Sequence, residues 1–414
     1  MKMKHALPVI MGALLLTGCN GGGGNNNGNL KNATIEEAEG LTYEELLAKA
    51  REEVGDNTIQ VFGNSSQLQK ALTKFQEETG IKVNNTKLGD ADLYNQLGTA
   101  FQANKYVADM VLLQDGNMLQ SEMLDPGYLL NFIPKEASTT IAKDDTTPMA
   151  AVYLNKIFMY NNNTASNDHS LKNYLTNVWQ LAGTKSDTGH ISNASFKTPT
   201  TENVNMNFLT MLTSKEWVKK LETAYEAFYG KKYVKEAKYE NIGYKWIAEF
   251  LTNSQAHSSD GTACKDVAKG ETGSMALVNY NKIKDLKATD GYKKEDVSNL
   301  SFPSLELDAD GEKVVNGFGG FCYKMYSMVA ANAKYPYAAC ALVSYITSKA
   351  GFENAWGAKA GYYSTNKTTT IASNDKEIAW WKERLVIEDP EVVASNYEDV
   401  SMFVKQYERA VEKK

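Results

Sequence analysis

The sequence predicts an α/β protein built as two lobes, and three observations predict it. From Thr58 to Gln114 the pattern runs strand, helix, strand, helix, strand, and closes on ADMVLLQ, the near-continuous apolar run of a strand buried on both faces. That alternation implies a sheet with right-handed helical crossovers. Roughly 380 residues follow a polar N-terminal stretch, and 43% of the 414-residue chain is hydrophobic, enough for one large core or two ordinary ones. From Leu171 to Lys282 three helical patterns precede a strand, which makes this stretch the candidate second lobe.

The first residues read as an export signal. Lys2 and Lys4 precede an apolar run from Ala6 to Leu16 that is too short to span a bilayer. Leu16, Thr17, Gly18 and Cys19 fit a bacterial lipobox, in which small residues permit cleavage before a lipid-bearing cysteine. Residues 1–18 are therefore expected to be a lipoprotein signal peptide, with Cys19 as the lipidated mature N-terminus. Buried acyl chains contribute about 0.8 kcal/mol per CH₂, so two or three give lasting attachment. Residues 19–33, rich in Gly and Asn, form no core and read as a flexible tether whose span grows as about 5–6 Å times the square root of its length. The expected location is the cell envelope, with the body anchored to the outer face of the cytoplasmic membrane, or facing the periplasm in a two-membrane bacterium.

Loss of Lys2 and Lys4 takes the formal net charge from −6 to −8, which disfavours nucleic acid as a partner. Cys264, Cys322 and Cys340 remain after Cys19, too few for a disulfide framework, and spacing leaves open whether Cys322 and Cys340 pair.

Along the body, residues 34–56 form an N-terminal helical segment in which Thr42 and Glu45 make a capping box. TIQVFG (Thr58 to Gly63) is a strand, Ser65 to Thr79 a helix, IKVNNTKL a strand, Asp90 to about Asn104 a helix, and ADMVLLQ a strand. In open α/β sheets ligands gather beyond the carboxyl ends of strands, where helix N-termini expose N–H groups. GNSSQ, with Asn64 and Ser65, and QDG, with Asp115, occupy that place, although Asn64 or Ser65 reads equally well as a plain N-cap. Farther on, Leu171 to Ala182, a segment after Pro199 and Ser214 to Tyr229 read as helices, and ETGSMALVNYNK as a strand entering a polar, aromatic loop. Asp308 to Gly311 in LELDADGEK is a hairpin turn, since the further spaced ligands of a calcium loop are missing.

TIQVFGNSSQLQKALTKFQEETGIKV, ADMVLLQDGNMLQSEML and KIFMYNN resemble the family 1 extracellular solute-binding proteins of bacterial ABC importers. So do NGFGGFCYKMYSMVAANAKYPYAACALVSYITSKAGFENAW and AGYYSTN. The resemblance covers about Thr58 to Thr370. It implies a two-lobe, periplasmic-binding-protein-like fold (type II), each lobe a mixed sheet flanked by helices, with a hinge between lobes. Lobe 1 would comprise 57–150 and 301–350, and lobe 2 with the C-terminal helices 151–300 and 351–414. It implies a non-catalytic, monomeric receptor that captures a small-molecule solute and delivers it to an ABC permease in the membrane. The expected ligand-binding residues are Asn64, Ser65, Asp115, Asn161, Glu202, Tyr280, Gly319 and Tyr362, with Asn279 near the cleft. The late loop departs from the family pattern, with Ser364 in place of a proline.

No enzyme constellation is present: the chain has no G-x-S-x-G, H-E-x-x-H, P-loop or C-x-x-C. His169, His190 and His257 lack metal-ligand spacing, and no cofactor or resident metal is expected. Carboxylates distant in the chain can still converge, so a surface hydrolase stays open, as does a lipoprotein adhesin. The 23 tyrosines and 6 tryptophans, with Asn, Asp and Glu, suit sugar faces and hydroxyls, so a carbohydrate is the first expected solute. A metal chelate, a phosphorylated or other anionic solute, or a polyamine is the alternative. Ferric-binding relatives use adjacent tyrosines, but Tyr362 and Tyr363 follow Gly361 in the late loop and would point to opposite faces of a strand.

Overall fold

The computed structural model describes residues 31–161, 175–183, 194–269, 275–285, 300–301, 315–357, 359–373 and 375–411. The signal, Cys19 and most of the tether, His169, His190 and the Asp308–Gly311 turn lie outside them.

Two short helices, α1 (Ala33–Glu39) and α2 (Tyr43–Val54), come first. The predicted capping box is present in α2: Thr42 Oγ accepts the Glu45 N–H, and the Glu45 carboxylate accepts the Thr42 N–H at 2.7 Å. β1 (Thr58–Gly63), α3 (Leu68–Thr79), β2 (Lys82–Lys87), α4 (Asp90–Gln102) and β3 (Met110–Gln114) then follow the predicted alternation. β1 pairs in parallel with both β2 and β3. β3 is covered on both faces, with Met110 and Leu112 in one apolar cluster and Val111 and Leu113 in another.

Two long strands carry the sheet onward. β5 (Ala150–Asn161), reached past β4 (Leu129–Leu130), runs antiparallel to β10 (Gly320–Ala330). β10 pairs with β3 through Met325–Val329, and β5 pairs with β8 (Met275–Asn279) through Lys156–Tyr160 and at its end with β9 (Leu300–Ser301). β6 (Ser195–Lys197) lies parallel to both β7 (Gln255–His257) and β8. The 12-stranded sheet thus holds two parallel triads, β2-β1-β3 and β7-β6-β8, each with its first strand in the middle, joined by two antiparallel crossing strands.

Four helices serve the second triad: α5 (Asn203–Met211), α6 (Lys215–Tyr229), α7 (Ile242–Asn253) and α8 (Asp260–Lys269). The chain ends with α9 (Pro336–Thr347), α10 (Lys349–Ala355), β11 (Tyr362–Ser364), α11 (Ile378–Lys382), β12 (Val386–Ile387) and α12 (Pro390–Val411).

Two predicted helices differ. α3 starts at Leu68, not Ser65, because Ser65 Oγ is taken by the Trp356 indole N–H at 3.2 Å and the Gln67 N–H at 3.3 Å. The described part of the Leu171–Ala182 segment holds only a 3₁₀ turn, Val178–Gln180. There Gln180 Oε1 accepts the N–H groups of Thr176 and Asn177, and Asn177 caps the turn, so local side-chain bonds replace the helical ladder.

Candidate functional site

The loops after β2 and β6 approach each other. Gly89 with Ala91 and Asp92 at the start of α4, and Lys197 at the end of β6 with Thr200, Thr201, Glu202 and Asn203 beyond it, line a cleft of about 260 Å³. It lies beyond the carboxyl ends of strands from both triads, the general ligand position of open α/β sheets. α4 opens on this cleft from Gly89, an N-cap with no side-chain capping bond. On the other wall Pro199–Thr201 makes a 3₁₀ turn that leads through Glu202 into α5. A wider groove of about 710 Å³ runs along α4 past Phe62, Leu88 and Val107.

Behind the cleft lies a buried charge network. Lys156, in the middle of β5, is wholly buried; its ammonium donates to Asn205 Oδ1 at 2.8 Å and stands 3.2 Å from Asp260 and 3.5 Å from Glu202. Glu202 also accepts a short bond from Lys197. Asp260 accepts the Asn279 backbone N–H at 3.1 Å and its side-chain amide at 2.8 Å, and Asn279 Oδ1 accepts the Tyr323 hydroxyl at 2.9 Å. Burial works against charge on Lys156, yet Asp260 and Glu202 outweigh it and raise its pKa. Burial likewise pushes the Glu202 carboxyl up, but Lys156 and Lys197 win and hold it below the ordinary carboxylate range. Two ammonium groups offset two carboxylates here, and the Thr200 and Thr201 side chains stand on the same wall.

α5 carries a second cluster one turn on. Asp115 follows β3 in the left-handed region at φ 73°, and its Oδ1 accepts the Met118 N–H at 3.1 Å. The amide of Asn207 donates to Asp115 Oδ1 at 2.7 Å and to Glu388 Oε1 at 2.8 Å. All three side chains are buried. Burial first, and the negative charge of Asp115 next, push the Glu388 carboxyl up to about 8, against the Asn207 amide and Lys324.

The predicted residues divide between these places and others. Glu202 lines the cleft, and α5 connects it to the Asp115 cluster. Asn64 is half-buried and its N–H donates to Leu112 O at 3.4 Å, while Ser65 sits against Trp356. Tyr280, just after β8, is buried against Trp381 with ring centroids 5.6 Å apart. Gly319 is buried, its N–H donating to Arg384 O at 2.8 Å and its carbonyl accepting from Phe158 at 3.2 Å. Asn161 ends β5 opposite Leu300, and Tyr362 pairs with Leu154 in β11. Tyr362 packs on one apolar cluster and Tyr363 on another, so adjacent tyrosines lie on opposite faces, and the Tyr363 hydroxyl donates to Asp375 at 2.9 Å. Sequence reasoning missed Lys156, Lys197, Asp260, Asn207 and Glu388.

One grouping has the look of a nucleophile triad: His257 Nε2 is 3.1 Å from Ser195 Oγ and its Nδ1 3.5 Å from Asp266. Ser195 is wholly buried and lines neither the cleft nor the groove, so these bonds tie β6 to β7 and α8.

Residues 62–351 match the family described as bacterial extracellular solute-binding protein. The chain belongs to this family. As a member of the extracellular solute-binding proteins it is a non-catalytic receptor of the cell envelope, of the kind that serves ABC importers. No curated protein matches it in sequence.

Among solved structures the solute-binding protein is similar to iron-bound HitA from Pseudomonas aeruginosa, at TM-score 0.63 and 16% identity over 84% of this chain and 99% of that one. The IdiA (FutA) protein of Trichodesmium, in complex with iron and citrate, matches at TM-score 0.59 and 16% identity over 85% and 99%. AfuA from Actinobacillus pleuropneumoniae, with fructose-6-phosphate bound, matches at TM-score 0.58 and 13% identity over 85% and 98%. At such identities these likenesses establish the periplasmic-binding-protein-like fold, a mixed sheet flanked by helices. The expectation of a carbohydrate solute is corrected against these structures, among which several are iron- or ferric-binding proteins. The physical reason for the error lies in the aromatics: Trp179, Trp246, Trp356 and Trp381 are fully buried packing residues, not sugar platforms.

Proposed function

We propose that this protein is the solute receptor of an ABC importer for an anionic metal chelate, of which an iron–carboxylate complex is the type. The observation that carries the reading is the cleft wall itself. It offers the uncapped start of α4 beside Asp92, the Thr200 and Thr201 side chains, and the Lys197 ammonium, which is shared with Glu202, a carboxylate that Lys156 also meets. N–H, O–H and ammonium donors suit carboxylate oxygens, and a helix N-terminus favours negative charge. The iron- and citrate-bound structure of this fold supports the same class.

The two parallel triads act as two lobes, with β5 and β10 as the hinge strands between them. Capture is a population shift toward the closed form, which the permease then recognises. Cys19 carries lipid and the stretch that precedes α1 tethers the body to the membrane, the body beginning at Lys31, which pairs with Glu39. The site residues are Gly89 and Asp92 from the first lobe and Lys197, Thr200, Thr201 and Glu202 from the second.

Calorimetric titration of the iron-free protein with ferric citrate tests the reading. Saturable binding of one equivalent, weakened about tenfold or more in Lys197→Gln, is expected from the loss of a charge-assisted hydrogen bond. Binding of a neutral sugar in preference to ferric citrate would overturn it.

A further inference from the structure

The Asp115, Asn207 and Glu388 cluster joins three separate parts of the chain: the loop after β3, helix α5 of the second triad, and the segment after β12. Through Asp115 and Asn207 it bonds the loop after the first triad to a helix of the second by buried polar side chains. Asn207 spends its amide group on both carboxylates, and neither Asn207 Oδ1 nor Glu388 Oε2 has a further hydrogen-bond partner. We propose that these residues form a proton-bearing clasp that holds the closed form, with Asn207 and Glu388 as positioning residues for solute capture. The proposal rests on the two-lobe reading above, and not on the identity of the solute.

The chemistry follows from charge. With Glu388 protonated, the cluster carries one negative charge and the Asn207 amide serves both partners. With Glu388 ionised, two buried carboxylates bridged by the Asn207 amide repel, and the backbone N–H groups of Met118 at Asp115 and Gly116 at Glu388 only partly offset this. The other charged and titratable groups around the cluster do not relieve this. Lys324 is paired with Asp145 at 2.8 Å, and Asp389 is turned to cap α12 through the Glu391 and Val392 N–H groups. Tyr326 and Tyr397, which sense these carboxylates from β10 and α12, are both held neutral with raised pKa values. Opening the clasp lets water reach Glu388 and returns it toward the ordinary value of 4.5, so opening releases a proton. The closed form is therefore favoured at low pH, and the closed-to-open ratio falls as pH rises through the range in which the buried Glu388 carboxyl ionises.

The test is fluorescence energy transfer in the ligand-free full chain, labelled at Lys70→Cys on α3 and Glu222→Cys on α6, both exposed positions. Transfer should drop between pH 6 and pH 9 in this background, stay constant when Glu388→Gln is added, and stay low at both pH values when Asn207→Leu is added. A drop of equal size with Glu388→Gln overturns the proposal. So does constant transfer in the labelled chain that retains Glu388, a result that stands even if the Gln variant fails to fold.

Discussion

Lys156 shows how one residue binds strand, helix and site together. It is a lysine inside AVYLNKIFMY, an otherwise apolar strand, and it is buried because Glu202 and Asp260 arrive from α5 and α8 to meet it. Removing one partner of a buried pair costs far more than the pair contributes, since the survivors remain uncompensated. Lys156→Ala should therefore lose about 3–5 kcal/mol in denaturant unfolding, by the same principle. Lys197→Gln, at a side chain about a quarter exposed and with Lys156 still facing Glu202, should lower the midpoint far less than Lys156→Ala while weakening chelate binding. A charged residue in an apolar run is a signal legible in sequence, and it points to Lys156. Glu388 had no such signal: in VIEDPEV it reads as a polar residue ahead of a helix, and only the packing of α12 over α5 makes it a buried neighbour of Asp115.

The elements of the first triad were legible because each strand and helix has its own period, and β3 is apolar on both faces. Their ends were less so. Ser65 was assigned to α3 by its N-cap chemistry, but a tryptophan nearly 300 residues away claims its hydroxyl, and no local rule contains that contact. The second triad was harder still, because β6 and β7 are three residues each, too short to show alternation. The crossing of β5 and β10 depends on a close approach at Gly320, where φ is 153° and a Cβ would lie 2.1 Å from Lys156 O. Gly320→Ala should cost at least about 2 kcal/mol, through backbone strain and displacement of β5, and the loss should appear as a lower denaturant midpoint.

At the scale of the whole molecule, sequence supplied the family and the order of elements, while the solute class was set wrongly by counting aromatics that packing consumes. Stability should also carry the mark of Glu388. Its folded pKa, about 8, lies above the ordinary 4.5, so between those values the native state binds more protons than the unfolded one. Stability from this group is fully present below the lower value and is lost as pH rises through the upper one. The melting temperature of the parent protein should consequently fall more between pH 5 and pH 8.5 than that of Glu388→Gln, and parallel curves would remove this group from the explanation. Capture itself is best read directly. Native mass spectrometry of the full chain, released gently from the cell envelope in detergent, should show one retained mass equal to a metal ion plus a carboxylate chelator, lost on partial unfolding. A retained neutral sugar, or a bare protein with no thermal shift in ferric citrate, would contradict the proposed function.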